Sequence, residues 1–70
     1  MLDNYTISNP IWANPENTII NCTLTEKITG QQFEFSANPL DVEPYGRQLC
    51  ADCINGVYGP IAPYQPPANN

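Results

Sequence analysis

The sequence predicts a small α+β domain in which an antiparallel β-hairpin packs against one C-terminal helix, with extended, proline-rich chain ends. Three observations lead to this prediction. Two short segments alternate apolar and polar residues, which is the period of a half-buried strand. A later segment carries apolar residues at helical spacing between a start signal and a stop signal. Prolines and asparagines are concentrated towards the two ends, where they favour turns and extended chain.

The composition bounds the size and the class of the protein. Its 70 residues allow one domain, and a core of this size commonly supplies only ~3–5 kcal/mol. The net charge is −5, with Lys27 and Arg47 as the only cations. Nucleic acids and anionic membranes are bound chiefly through basic residues, so neither is an expected partner. Without a spanning apolar run or a signal-peptide pattern, the chain is expected to stay in the cytosol or to assemble there.

Residues 1–16 are interpreted as an extended N-terminal arm and as a candidate third strand of the sheet. Segments 5–8 and 11–13 are short and apolar, and they lie between asparagine and proline turn signals. This arrangement is typical of an edge strand or an irregular extended segment. Trp12 is expected to cap the domain's own core, although tryptophan is also common in binding interfaces.

Residues 17–56 form the predicted hairpin–helix core. The first strand, 18–26, alternates three apolar residues with polar ones: Ile20, Cys22 and Leu24. The second strand, 32–36, places two phenylalanines on one face: Phe33 and Phe35. The short link between them ends in glycine and provides the turn. Because an isolated hairpin is marginally stable in water, a helix is expected to cover its apolar face.

The helix is expected to begin after Asp41 and to end at Asn55 and Gly56. Asp41 is the predicted N-cap, since its carboxylate can accept a free N–H of the first turn. Pro44 is tolerated early in the helix because its missing N–H has no helical partner there. Gly56 suits the left-handed conformation that ends many helices. The residues expected to face the sheet are Val42, Leu49, Cys50 and Cys53, flanked by Tyr45 and Ile54.

Residues 57–70 are interpreted as an extended, proline-rich C-terminal strap. It contains two P-x-x-P sequences, but no basic residue flanks them, which favours a strap over the domain's own surface, or a linker. Tyr58 and Ile61 are expected to fold back beside the helix end, whereas Tyr64 lies further out, where it can reach a neighbouring chain. Together with Trp12 they are the candidate partner-binding residues, because aromatic side chains anchor many interfaces.

The three cysteines leave a metal, disulfide or redox role open. Cys50 and Cys53 have C-x-x-C spacing, and Cys22 offers a third ligand. Cys50 and Cys53 both fall late in the predicted helix, where the helix dipole disfavours the thiolate that a redox motif needs. Cysteine is also among the most buried residue types. Buried packing is therefore the favoured interpretation, with no metal or cofactor. A metal- or disulfide-stapled regulatory or binding domain using Cys50 and Cys53 is the alternative.

An enzymatic function is not predicted, and no catalytic residue is proposed. The sequence has no histidine that could activate a serine or a cysteine. Its seven carboxylates are explained by the helix start, the outer face of a strand and solvated positions. Two glycosylation sequons, at Asn4 and Asn21, are short enough to arise by chance.

Two segments of the sequence carry a resemblance to a known group of proteins. The first reads Phe33-Glu-Phe-Ser-Ala-Asn-Pro-Leu-Asp-Val-Glu-Pro-Tyr-Gly-Arg-Gln-Leu49, and the second reads Asn55-Gly-Val-Tyr-Gly-Pro-Ile-Ala-Pro-Tyr64. Over about residues 11 to 67, the chain resembles short tail-associated and tail-fibre assembly proteins of tailed bacteriophages and prophages. The resemblance implies a non-enzymatic tail component or assembly factor that binds phage tail, fibre or baseplate proteins, or a second copy. Its location would be the virion tail, or the host cytoplasm during assembly.

Overall fold

In a computed structural model, which describes residues 2–66, a three-stranded antiparallel sheet carries one helix on one face. A short 3-10 helix, Leu2–Asn4, leads into the first strand. The elements that follow are β1 (Tyr5–Trp12), β2 (Ile20–Glu26), β3 (Gln32–Ala37) and α1 (Pro44–Ile54). The strands lie in the order β1-β2-β3. The predicted α+β class is confirmed, with the candidate third strand present.

The hairpin of β2 and β3 has the register that the alternating pattern predicts. Cys22 lies opposite Phe35 and Leu24 lies opposite Phe33, so the apolar side chains of both strands share one face. Ile20, Cys22 and Leu24 are buried in the core. Phe33, near the turn that joins β2 and β3, remains 46% exposed.

Strand β1 pairs with the other side of β2 and contains one irregularity. Its pairing register shifts between Ser8 and Ile11. Asn9, inside this shift, has a φ of 54°, a left-handed conformation that asparagine adopts more readily than most residues. Pro10 has no N–H to offer the ladder, so its place at an irregularity of an edge strand is expected. The segment predicted as an arm thus contains a full edge strand.

Helix α1 begins two residues later than predicted. Its N-cap is Glu43 and Pro44 is its first residue, so the prediction of Asp41 as N-cap is wrong. Proline holds the residue before it in an extended conformation, and Glu43 has a ψ of 130°. The Asp41 carboxylate instead accepts the Glu43 N–H at 2.9 Å, and its backbone carbonyl accepts from the Arg47 guanidinium at 2.6 Å. Asp41 therefore stabilises the turn that enters the helix.

The buried face of α1 is narrower than predicted. Its buried residues are Gly46, Leu49, Cys50 and Cys53. Val42 precedes the helix and is 87% exposed, so its predicted place on the buried face is wrong. Ile54 is exposed as well. Tyr45 does flank the buried face, since its ring lies 5.8 Å from that of Phe35.

The helix ends at the predicted stop signal. Gly56 has a φ of 80° and donates its N–H to the Cys53 carbonyl at 3.1 Å. The Val57 N–H donates to the Asp52 carbonyl at 3.0 Å. These two bonds satisfy carbonyls of the last turn and direct the chain back towards the sheet.

The assigned core predicts a ranking of alanine variants. Leu49 is fully buried, so Leu49→Ala should lower the free energy of unfolding by ~2–5 kcal/mol. Phe33→Ala should cost less because half of that side chain already contacts water. Val42→Ala, at an exposed position, is the control with little expected change. Urea unfolding followed by circular dichroism measures the ranking, and a Val42→Ala loss as large as that of Leu49→Ala would contradict this core.

The contact between Asp41 and Gly46 predicts an unfavourable substitution at a helical glycine. A Cβ on Gly46 would collide with the Asp41 carboxylate. The helix propensity of alanine exceeds that of glycine by roughly 1 kcal/mol. Gly46→Ala should nevertheless lower the melting temperature, because the Asp41 carboxylate must move to make room for the new Cβ. The loss should shrink in an Asp41→Ala background, which a double-mutant cycle measures. Strictly additive losses would show that the two residues do not interact.

Candidate functional site

The C-terminal strap adds to the outer edge of β1. Ala62 forms a parallel bridge with Ile11. The Trp12 N–H donates to the Ala62 carbonyl at 3.0 Å, and the Ala62 N–H donates to the Pro10 carbonyl at 2.9 Å. The strap therefore covers the C-terminal part of this edge with backbone hydrogen bonds. Residues 67–70, predicted as the last part of the strap, lie outside the described residues.

The structure brings three of the four candidate partner-binding residues onto the domain's own core. Trp12, Tyr58 and Ile61 are partly buried and pack against the core cluster. The prediction that Tyr58 and Ile61 fold back is confirmed. Tyr64 lies two residues beyond the bridge, is half-buried and is not part of that cluster. A role for these residues in partner binding stays a prediction.

Three buried thiols lie where α1 meets β2. Cys50 and Cys53, one helical turn apart, belong to the same buried cluster as Cys22 of β2. The Cys22 thiol also lies 3.8 Å from the Phe35 carbonyl oxygen. The buried packing predicted for these cysteines is confirmed, and the three are free thiols.

The environment keeps these thiols protonated. Burial, followed by the interaction with Cys53 and the charge of Glu34, raises the pKa of Cys22 to about 12. Burial raises the pKa of Cys50, and burial with the neighbouring Cys50 and Asp52 raises that of Cys53. Because the thiolate is the nucleophile and the metal ligand, none of the three is activated at neutral pH. Within residues 2–66, no cluster of three or more His, Cys, Asp or Glu residues has a metal-binding arrangement.

A shallow groove of about 540 Å³ lies beside the part of β1 that the strap leaves open. It is lined by side chains from β1 and α1 and by their neighbours, among them Asp3, Tyr5, Lys27, Gln48, Asp52 and Tyr58. Asp52 organises its wall: Gln48 donates to one carboxylate oxygen at 2.9 Å, and the Tyr58 hydroxyl donates to the other at 3.5 Å. The pKa of Tyr58 is raised, mainly by burial and by the Asp52 charge. The groove thus mixes both signs of charge.

The outer edge of β3 has no partner strand among the described residues. The Glu26 N–H donates to the Gln31 carbonyl at 2.8 Å, so these two residues form a hydrogen-bonded pair at the turn end of the ladder between β2 and β3. Hydrogen-bonded and non-hydrogen-bonded pairs alternate along an antiparallel ladder, so every second residue of β3 bonds to β2. The backbone groups of Gln32, Glu34 and Ser36 consequently point away from β2. The side chains of these three residues are exposed on the sheet face opposite α1. We call these three residues the β3 edge.

Exposed apolar side chains adjoin the β3 edge along the chain. Phe33 lies on β3 itself, and Leu40 and Val42 lie in the connection to α1, where they are 86% and 87% exposed. Single exposed apolar residues are common on protein surfaces. Here, however, Phe33, Leu40 and Val42 all lie within a span of ten residues, on or just after a strand whose outer edge has no partner strand among the described residues. The sequence pattern does not indicate this exposure, since it assigns Val42 to the core.

Comparisons with protein families, with curated proteins and with solved structures give no match. Among the described residues, α1 is too short to cross a membrane and no other helix is long and apolar enough.

The raised thiol pKa values predict a loss of stability at alkaline pH. The folded state holds the Cys22 proton up to about pH 12, whereas the ordinary value is 9.0. The unfolded state therefore binds fewer protons than the native state above pH 9, and stability falls as the pH rises through this window. Urea unfolding from pH 7 to pH 11 should show this fall, and Cys22→Ala should make it shallower. Equal slopes in the two proteins would exclude Cys22 as a cause.

Proposed function

We propose that the chain is a non-enzymatic protein-binding component of a tailed bacteriophage, either a tail- or fibre-associated part of the virion or a tail-fibre assembly factor. The observation that supports binding most directly is the β3 edge, a row of backbone groups with no partner strand among residues 2–66, beside the half-exposed Phe33. Open strand edges readily pair with other chains. The bacteriophage assignment comes from the sequence resemblance.

Charge is consistent with a protein partner. The net charge is −5 and the chain has two cations. One of them, Arg47, already donates to the Asp41 carbonyl. A surface of this kind lacks the lysines and arginines that bind phosphates, so the proposed partners are proteins of the tail, fibre or baseplate, or a second copy of the chain.

The strap supports the proposal because its backbone hydrogen bonds attach it to the domain just before Tyr64. Its hydrogen bonds to Pro10 and Trp12 hold it on β1. Tyr58 and Ile61 anchor it to the core. Tyr64 follows these anchors and is the best placed of the four candidate residues to contact a partner. A rigid, pre-ordered segment loses little conformational entropy when it binds.

The alternative is a small regulatory or binding domain stapled by a disulfide or a metal that uses Cys50 and Cys53. The observation that favours it is the burial of Cys50 and Cys53 together with Cys22 in one core cluster. Intact mass measured without reductant, together with zinc analysis, distinguishes the two proposals. The tail-protein proposal expects three free thiols and no metal, and a stoichiometric disulfide or zinc would favour the alternative.

A test of the proposed function uses the phage or prophage that encodes the chain. Mass spectrometry of purified particles should detect its peptides if it is a virion component. If it assists assembly instead, the tagged chain should co-purify with a tail or fibre protein from producing cells. Tyr64→Ala should weaken the association and lower the melting temperature only slightly, because Tyr64 is half-buried but lies outside the core cluster. Ile28→Ala, at the exposed hairpin tip, should change neither.

The proposal fails if the wild-type chain is absent from the particles and binds no tail, fibre or baseplate protein. If the Tyr64→Ala variant associates normally, the strap is not part of the binding surface, but the proposed function still stands. The melting temperature of each variant, measured alongside, separates lost contacts from lost folding.

A further inference from the structure

We infer that the β3 edge accepts an extended segment of the partner as an added strand, in which a basic residue flanked by apolar residues pairs with Glu34. This inference rests on the proposed protein-binding function and specifies its site and the chemistry of the partner. Strand addition supplies affinity through backbone hydrogen bonds and supplies specificity through alternate side chains.

β3 can accept an added strand only along its outer edge, because its other edge is paired with β2. Cys22 and Leu24 pair with Phe35 and Phe33, which directs the ladder hydrogen bonds of those residues towards β2. The N–H and C=O groups of the β3 edge point the other way, at alternate positions along the strand. An added strand would therefore extend the sheet from three strands to four without breaking an existing bond.

The side chains at this edge define the pattern of the added strand. A residue opposite Glu34 lies on the open sheet face, directly beside the carboxylate. Its two neighbours in the added strand lie on the other face, next to Phe33 and Phe35. Phe33 is 46% exposed, and the ring of Phe35 contacts Tyr45. The matching sequence is thus apolar–basic–apolar.

Charge selects against a second copy at this edge. Two β3 strands paired about their centres would place one Glu34 directly opposite the other, and like charges at that position are destabilising. Each copy also carries a net charge of −5. A basic segment removes both penalties, because its positive charge pairs with Glu34 and is attracted by the net negative charge of the domain.

The opposite edge of the sheet is less available. The strap already bonds to Pro10 and Trp12 on β1. The remaining part of that edge adjoins the groove with mixed charges. The β3 edge, in contrast, has neither strand nor strap upon it among residues 2–66.

A synthetic peptide tests the inference directly. The probe is the capped peptide Lys-Val-Thr-Val-Lys-Val-Thr-Val-Lys, and the control replaces the central lysine by glutamate. In ¹⁵N-labelled protein, the probe should shift the amide resonances of Gln32, Glu34 and Ser36 and slow their hydrogen exchange. It should bind about two- to fivefold more tightly than the control peptide. The Glu34→Lys variant should reverse that preference.

Two proline variants test the backbone part of the inference. Glu34→Pro removes an N–H that points away from β2, so the ladder to β2 is retained while the open edge is blocked. Binding of the probe should be lost. Glu34→Gln is the matched control, which should bind both peptides without preferring either. If Glu34→Pro does not fold, Ser36→Pro repeats the test at the next residue of β3 whose N–H points away from β2.

Several results would overturn the inference. One is a wild-type protein that binds the probe no better than the control, or binds it elsewhere, for instance at the groove. Another is full binding by a folded Glu34→Pro variant. Dimerisation in light scattering, with the same three amides protected in the absence of peptide, would identify a second copy as the occupant. A folded Glu34→Pro variant that still associates with tail proteins would reject this site and leave the proposed function standing.

Discussion

The contact between α1 and the hairpin of β2 and β3 is the interaction on which the remaining structure depends. A three-stranded sheet exposed on both faces has too little buried apolar surface to be stable, and α1 is the element that covers one face. Leu49 and the cysteines of α1 meet the apolar side chains of β2 there. Trp12, Tyr58 and Ile61 then pack around the margin of this core and hold the strap in place. The side chains of the β3 edge, the proposed binding surface, lie on the opposite face of the sheet and do not contribute to this core.

Local patterns predict the elements of this fold better than their ends. The two-residue period of β2 and β3 is sufficient for the hairpin register, because any slip by one residue would turn the apolar side chains to solvent. The helix start is mispredicted because Asp41 is a good capping residue, yet Pro44 restricts its predecessor and so makes Glu43 the N-cap. Val42 is lost from the core for the same reason, since it lies before the first helical turn.

Contacts between distant segments are much harder to infer from the sequence. The aromatic and apolar residues of the strap indicate that it packs somewhere, and Tyr58 and Ile61 are correctly expected to fold back. Nothing in the sequence indicates that Ala62 bonds to β1 beside an irregularity at Asn9. Similarly, alternation identifies Glu34 as an outward residue of a strand. That its strand lies at the edge of the sheet follows from the strand order, which alternation does not encode.

The buried thiols allow the separation of α1 from the sheet to be measured by chemical labelling. Cys22, Cys50 and Cys53 all lie between α1 and the sheet, protonated and screened from solvent. A thiol-specific reagent can reach them only when the helix separates from the sheet, so the labelling rate measures how often that opening occurs. Motion of the helix can thus be followed separately from motion of the strap, whose described residues, 57–66, include no cysteine.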